Sequence, residues 1–390
     1  MELLLPFTLL FFATALGWLL GRRSQSRSGV SGKGRDDAYY HSLRFLLSEQ
    51  PGTAVDEFIQ AIAVNEQTLD THLSLARLMR GKGELEAATR IHQNLLARPN
   101  LPKSGLQQVH LELAKDYISA GLHDRAERLL RDLVAEASEN EAEALDYLQQ
   151  IYQAEKDWEK AIAVARRRLP KRGWLLKQKT DSDPQVSVAL SHYYCELADE
   201  RASAGDWTQA KSILQKAREA DAENPRAAMS LAKLVMDEQP EYALNLLHAV
   251  AEGQPAYASE ILPLFRDAFS RLADAPSYSQ ALRALAQVTQ SSTLHNEVAK
   301  DCESLEAARA YLKDAVSQRP TIKLLLALLE RELDASESGR EIVSELHSLC
   351  ASRPSYCCRH CGFSGRKQHW LCPSCEQWGT IAPIRSSQGD

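Results

Sequence analysis

The sequence predicts an all-α protein built as a superhelical solenoid of paired helices, with an apolar helix before the solenoid and a small metal-binding ribbon after it. Three observations lead to this prediction. The 390-residue chain contains only 18 glycines and 15 prolines, against abundant helix-forming residues. Between residues 38 and 350 it shows self-similarity at about the 34-residue period of helix-turn-helix repeats. Most of its cysteines are concentrated between residues 357 and 375.

The composition points to a binding protein. Hydrophobic residues make up 44% of the chain and charged residues 25%, which is ordinary for a soluble body. A net charge of −6 gives no general attraction to nucleic acid, so a nucleic-acid-binding role is disfavoured. The sequence contains no G-x-x-x-x-G-K-[ST], H-E-x-x-H or G-x-S-x-G motif. We therefore expect recognition rather than catalysis.

The first segment, residues 1–21, is predicted to be a transmembrane anchor. From Leu3 to Leu20 it carries no charge, and a helix of this length spans roughly 27 Å, enough for the hydrocarbon core of a bilayer. Ala13 and Ala15 offer the alternative of a cleaved secretory signal. A signal carries its basic residues before the apolar run, whereas here they follow it, as Arg22, Arg23 and Arg27. The sequence therefore favours one span, with the amino terminus outside and the body in the cytoplasm.

Residues 22–37 are predicted to form a flexible tether. They contain three glycines and several serines, and too little apolar surface to fold. Their basic side chains can be drawn to anionic lipid or can simply be solvated. In either case the tether holds the body close to the membrane.

The repeat array is assigned to residues 38–350. Its clearest copy contains Leu75-Ala76, Gly83, Ala88 and Pro99. Small residues are needed where the two helices of a hairpin cross, and glycine permits the turn between them. Successive copies are marked by Ala54, Ala88, Ala126, Ala161 and Ala210, and weaker ones by Ala243, Ala281 and Ala308. These copies resemble tetratricopeptide repeats, whose stacked hairpins form a concave surface that binds peptides or protein segments.

A basic stretch over residues 166–179 interrupts the array. It lies in the interval from Ala161 to Ala210, which is longer than the intervals between the preceding anchor alanines. A plain loop is favoured over a binding loop or a helical extension. The sequence assigns no role to it.

Residues 351–384 are predicted to form a metal-binding ribbon. Cys358 and Cys361 form one C-x-x-C pair, and Cys372 and Cys375 form another. Each pair can present two thiolates from a tight turn, and a short β-hairpin between them brings both pairs to one ion. Four sulfurs leave no open position for water or substrate. The ion is therefore expected to fold a segment too short to bury a core of its own.

Several alternatives at this site remain open from the sequence. The cysteines could form disulfides in a secreted domain, but a cytoplasmic location favours metal. Iron would use the same ligands, so zinc is favoured only because it is the more usual structural ion. Cys357 could replace Cys358 by a register slip, and His360 and His369 are alternative ligands. Three aromatic residues are expected to fill the ribbon core or dock it onto a neighbouring surface: Phe363, Trp370 and Trp378. The last residues, 385–390, are predicted to be a disordered tail.

The order of anchor, repeat array and rubredoxin-like ribbon resembles the lipopolysaccharide assembly protein B family of Gram-negative bacteria. The residues that carry the resemblance are Gly21-Arg22-Arg23, His92-Gln93-Asn94-Leu95-Leu96, Lys115-Asp116-Tyr117, Tyr356, Cys358, Cys361-Gly362-Phe363, Trp370, Cys372-Pro373, Cys375, Trp378, Ile381 and Pro383. Cys357 and the basic stretch 166–179 depart from the family pattern.

The resemblance implies a regulator in the bacterial inner membrane that limits lipopolysaccharide synthesis, with its amino terminus periplasmic and its body cytoplasmic. Such a protein acts as an adaptor that helps the membrane-anchored AAA zinc metalloprotease degrade the lipid A deacetylase. An inner-membrane lipopolysaccharide sensor opposes it. Two alternatives are an envelope-assembly scaffold that gathers synthesis or transport proteins without directing proteolysis, and an electron-transfer protein with iron in the ribbon.

Overall fold

The structure, a computed structural model, describes residues 66–98, 101–169, 184–272, 275–333 and 337–390. The predicted anchor 1–21, the tether 22–37, the repeat marker Ala54 and most of the basic stretch 166–179 lie outside these ranges. Within them, no helix combines the length and the apolar character that crossing a bilayer requires. The chain separates into two compact units, Met1–Ala154 and Glu155–Asp390, which are described in turn.

The described part of the first unit consists of paired helices. Each helix packs on the next along the chain within a hairpin, and the first helix of one hairpin also contacts the first helix of the following one. Ala76, Ala88, Ala114 and Ala126 are fully buried where these helices cross, as the repeat pattern predicts. The helices are α1 (Glu66–Gly81), α2 (Leu85–Leu96), α3 (Lys103–Ser119), α4 (His123–Ala135) and α5 (Glu141–Glu155).

A buried polar cluster joins α1, α2 and α3. Arg80 donates to a carboxylate oxygen of Asp116 at 2.8 Å and to one of Glu112 at 2.7 Å. The other oxygen of Asp116 lies 2.5 Å from Nδ1 of the buried His92. Burial alone would raise the pKa of Glu112, but ion pairs, chiefly with Arg80, outweigh burial and lower this pKa to about 2. The carboxylate of Glu112 is therefore held in its charged form by the fold.

We expect this cluster to make the protein acid-sensitive below pH 4.5. Because the pKa of Glu112 falls from 4.5 to about 2 on folding, its contribution is present above pH 4.5 and is lost as the pH falls towards 2. At neutral pH the contribution is on the order of 3 kcal/mol. In urea unfolding at pH 7, 4.5 and 3, Glu112→Gln should lower the unfolding free energy at pH 7 and flatten its pH dependence. Glu139→Gln, at an exposed position, serves as control. If Glu112→Gln lowered the unfolding free energy by the same amount at pH 7, 4.5 and 3, the lowered pKa assigned to Glu112 would be contradicted.

The second unit continues the pattern of helix pairs and carries the ribbon. The repeat markers Ala161, Ala210, Ala243 and Ala308 are all buried. The marker Ala281 is half-exposed instead, because its helix turns the neighbouring Leu282 inward. The elements are α6 (Trp158–Arg168), α7 (Pro184–Ser203), α8 (Trp207–Ala220), α9 (Pro225–Val235), α10 (Pro240–Gly253), the 3-10 helix Pro255–Tyr257, α11 (Ala258–Leu272), α12 (Ala275–Thr289), α13 (Ser292–Lys300), α14 (Leu305–Gln318), α15 (Ile322–Leu333) and α16 (Glu337–Ala351).

The ribbon contains a three-stranded antiparallel sheet with β1 in the centre. Its strands are β1 (Tyr356–Cys358), β2 (Ser364–Gly365) and β3 (Ile381–Pro383). In the β1–β2 hairpin Cys357 is paired with Ser364, and on the other edge of β1 Cys358 is paired with Ile381. The sequence predicts a hairpin between the two cysteine pairs, whereas the observed β1–β2 hairpin encloses the first pair, and the sequence does not predict β3. Strands of two or three residues are too short to show an alternating pattern.

Residues 385–390 correct one prediction, since they are not a disordered tail. Arg385 donates to the carbonyl of Thr289 at the end of α12. Ser387 and Gln388 accept hydrogen bonds from the first backbone N–H groups of α15, and Asp390 accepts from Ser292 at the start of α13 at 2.6 Å. The first N–H groups of a helix have no partner within it, so a polar segment and a carboxylate are stabilised there. This short polar segment is ordered by helix ends that are distant in sequence.

Candidate metal centre

Two tight turns place the four predicted ligands. In the first, the backbone N–H groups of His360 and Cys361 point at the sulfur of Cys358, each at 3.4 Å. Gly362 closes this turn at a φ of 80°, a conformation that glycine adopts without strain. In the second turn Glu376 occupies the corresponding position at a φ of 54°. Nothing in the sequence marks Glu376 for this position, because a glutamate does not by itself predict a left-handed backbone.

The four sulfur atoms face one another. The Sγ atoms of Cys358, Cys361, Cys372 and Cys375 all lie within 4.8 Å of one another. Cys358 and Cys375 are 3.8 Å apart and Cys361 and Cys372 are 3.6 Å apart. Sulfurs bound tetrahedrally to one ion at about 2.3 Å are separated by roughly 3.8 Å, whereas a disulfide needs about 2.0 Å. All eight cysteines are free thiols, and this cluster fits one metal ion.

The charges within the cluster also call for a cation. The hydroxyl of Thr380 and two backbone N–H groups outweigh burial and lower the pKa of Cys358 to about 5. Burial and the neighbouring thiols raise the pKa of Cys375 to about 12. Four thiolates at this spacing require a bound cation to offset their mutual repulsion.

The alternative ligands lie outside the cluster. The sulfur of Cys357 faces the carbonyls of Cys358 and Gly362 at 3.6 and 3.9 Å. His360 has its Nε2 beside the side-chain amide of Gln377, and His369 has its ring 6.3 Å from that of Phe363. The structure therefore places Cys358, and not Cys357, in the four-sulfur cluster.

The ribbon core is small. Cys358, Cys372 and Ile381 are buried together, and Tyr356 and Phe363 pack against them at the edge. Of the three aromatic residues considered from the sequence, Phe363 thus serves this core. Such a core is too small to fold the ribbon without help.

The two tryptophans dock the ribbon onto the repeat helices of its own unit, the second one. Trp378 is 5% exposed and stacks on His192 of α7 at a ring-centroid distance of 5.0 Å. Trp158 and Tyr193 meet Trp378 edge-on at 6.2 and 5.8 Å. Burial, with a smaller effect of the nearby Arg226, lowers the pKa of His192 to about 3, so its ring is neutral at physiological pH. The stack is therefore an apolar and aromatic contact without a buried charge.

A second part of the docking surface lies beside Trp370. Its ring stacks on Tyr257 at 5.9 Å. The hydroxyl of Tyr257 donates to the carbonyl of Ile381 at 3.2 Å, and the hydroxyl of Tyr356 hydrogen-bonds to Glu260. Burial raises the pKa of Tyr257 to about 12, so it remains a hydrogen-bond donor. The ribbon is thus attached through rings and hydrogen bonds to several elements of the repeats.

The fold and the site together define a class: a mostly helical, tetratricopeptide-like repeat protein with a C-terminal rubredoxin-like ribbon around four cysteines. Residues 356–383 match the family model described as a rubredoxin metal binding domain. The chain is 32% identical over 396 residues to lipopolysaccharide assembly protein B of Escherichia coli K12, which covers 99% of both chains. It is 32% identical over 406 residues to the protein of the same name from Haemophilus influenzae, which covers 98% of this chain and 99% of that one. The chain belongs to the lipopolysaccharide assembly protein B family.

Solved structures of repeat proteins are more distant. The crystal structure of YrrB, described as a TPR protein with an unusual peptide-binding site, gives a TM-score of 0.33 at 18% identity, over 52% of this chain and 93% of that chain. Because the TM-score and the identity are this low, the assignment of the repeats is based on the helix pairs and buried alanines of this chain. Neither these matches nor the family model indicate a catalytic family.

Proposed function

We propose that this protein is an inner-membrane adaptor that regulates lipopolysaccharide synthesis. It holds the lipid A deacetylase for degradation by the membrane AAA zinc metalloprotease, and an inner-membrane lipopolysaccharide sensor opposes it. The observation that carries the proposal is the family match over 99% of this chain and of its E. coli relative. The match includes both the repeats and the ribbon.

The chemistry of the described residues supports an adaptor. Four sulfurs around one ion leave no position for substrate, so the centre is structural, and we propose that its ion is zinc. Paired helices offer surface for protein segments, which suits a protein that brings a substrate to an enzyme. Raising the local concentration of a substrate needs no catalytic group in the adaptor. The proposed anchor at residues 1–21 would keep this surface at the membrane, beside a membrane-bound protease.

Turnover of the deacetylase in the native host tests the proposal. After protein synthesis is stopped, the half-life of the deacetylase should be several-fold longer in cells that lack this protein than in cells that contain it. A chain without residues 1–21 should restore turnover poorly. The half-life of an unrelated substrate of the same protease is the control, since it should not change. An unchanged deacetylase half-life would overturn the adaptor role, and with impaired lipopolysaccharide assembly it would support the scaffold alternative.

A further inference from the structure

An open cavity of about 400 Å³ lies in the first unit, between α1, α3 and α5. Its wall combines cations with aromatic and aliphatic surface. The charged residues are Arg77, Arg80, Glu112, Lys115 and Glu143, and the ring of Tyr147 lies beside them. The ammonium group of Lys115 lies 5.5 Å from the centre of that ring. Because the cavity faces solvent, its polar groups can reach a ligand.

Three cations converge on one buried carboxylate in this wall. Glu112, with only 3% of its side chain exposed, is contacted by Arg80 at 2.7 Å, by Lys115 at 2.9 Å and by Arg77 at 3.1 Å. Arg80 also pairs with the buried Asp116. These two acids already neutralise two positive charges. The side chain of Arg77 remains 44% exposed at the cavity.

A comparable group of ion pairs between two helices of the second unit contains only one cation. There Arg226 of α9 joins Glu196 and Asp199 of α7, with both contacts at 2.8 Å. A single arginine between two carboxylates is therefore sufficient to connect neighbouring repeat helices. Arg77 and Lys115 exceed that structural requirement, and both line the cavity. With Glu143, which pairs with Lys115, three acids balance the three cations in number, so an anionic group of a ligand binds here by replacing the exposed Glu143.

The rim of the cavity allows such a group to enter. Lys115 is held at 2.7 Å by Glu143, whose side chain is 48% exposed. A solvated ion pair of this kind contributes little free energy, so a ligand carboxylate can replace Glu143 at small cost. Beside the cations, Tyr147 and Ile118 supply apolar surface, and Asn140 supplies an amide for backbone hydrogen bonds.

We propose that this cavity binds a protein segment in which an acidic side chain lies next to an apolar one. The carboxylate pairs with Arg77 and Lys115, and the apolar side chain packs on Tyr147. This inference deepens the proposed function, on which it rests, because it locates one contact through which the adaptor holds a client protein. Charged hydrogen bonds of this geometry give such a contact specificity for the acid.

Fluorescence anisotropy with the purified full-length protein tests the site. The probes are a panel of labelled ten-residue peptides in which one glutamate is flanked by leucine, phenylalanine or tyrosine, each paired with a peptide that has glutamine instead. At least one glutamate peptide should bind about five- to tenfold more tightly than its glutamine partner. Arg77→Gln and Lys115→Met should each remove that difference. Arg131→Gln, an exposed change on α4 outside the cavity, should preserve it.

The inference is overturned if no peptide of the panel binds with a Kd below about 1 mM, or if glutamate and glutamine peptides bind equally. It is also overturned if Arg131→Gln acts like Arg77→Gln. Circular dichroism must show unchanged helix content in all three variants. Deacetylase half-life is measured separately in cells with and without the protein. Loss of that effect with intact peptide selectivity would remove the adaptor role and leave the site standing.

Discussion

Replacing Cys372 by serine is expected to remove the metal ion and unfold the ribbon. The sulfur of Cys372 is buried and lies 3.6 Å from that of Cys361 inside the four-sulfur cluster. In small structural zinc sites metal binding supplies about 10–16 kcal/mol of folding free energy. The hydrophobic core of the ribbon is too small to supply that folding free energy without the metal ion. Elemental analysis should therefore find one zinc per chain in the native protein and far less than one in Cys372→Ser.

Cys357→Ser is the matched control. Cys357 is also a ribbon cysteine, but its sulfur faces two backbone carbonyls and not the cluster. This variant should keep a full equivalent of metal and the native tryptophan fluorescence. Full metal content in Cys372→Ser, or its loss in Cys357→Ser, would contradict the assigned ligand set. A red protein with one iron per chain would instead support the electron-transfer alternative.

Local spacing made the metal site predictable, whereas its attachment to the repeats was not. Cys358 and Cys361 are brought together by a turn of four residues, so sequence separation alone specifies their geometry. Trp378 meets Trp158 and His192 across roughly two hundred residues, and no local pattern records that distance. Trp158 is the first residue of α6, and nothing in the sequence around it marks its contact with the ribbon.

The prediction of a disordered tail failed for the same reason. Residues 385–390 contain two serines, a glutamine, a glycine and an aspartate, a composition typical of chain ends. Their partners are the first N–H groups of α13 and α15, which are helix ends far away in sequence. The composition of a segment contains no information about distant partners. The free energy that orders this segment comes from the unsatisfied helix ends it meets.

Replacing Trp378 by alanine is expected to separate the docking of the ribbon from its folding. The indole is 5% exposed and fills the space between His192, Trp158 and Tyr193. Removing a buried indole costs about 3–5 kcal/mol, because apolar contact is lost and a cavity remains. The four cysteines and Phe363 are unaffected by the change. Trp378→Ala should therefore keep one metal ion per chain while the ribbon loosens from the repeats.

Hydrogen exchange distinguishes the docking of the ribbon onto the repeats from its folding around the metal ion. In the native protein the amide of Gly379 donates to the carbonyl of Trp370, and the amide of Arg359 donates to that of Thr380. In Trp378→Ala, peptides of α7 and of the 3-10 helix Pro255–Tyr257 should exchange faster, while the Cys358–Cys361 turn stays protected by its metal. Trp207→Ala removes an indole that is 56% exposed. This control should change neither the exchange of the α7 and 3-10 peptides nor the protection of the Cys358–Cys361 turn. Equal exchange in α7 for both variants would show that the stack does not hold the ribbon. Loss of metal in Trp378→Ala would show instead that docking and metal binding form one cooperative unit.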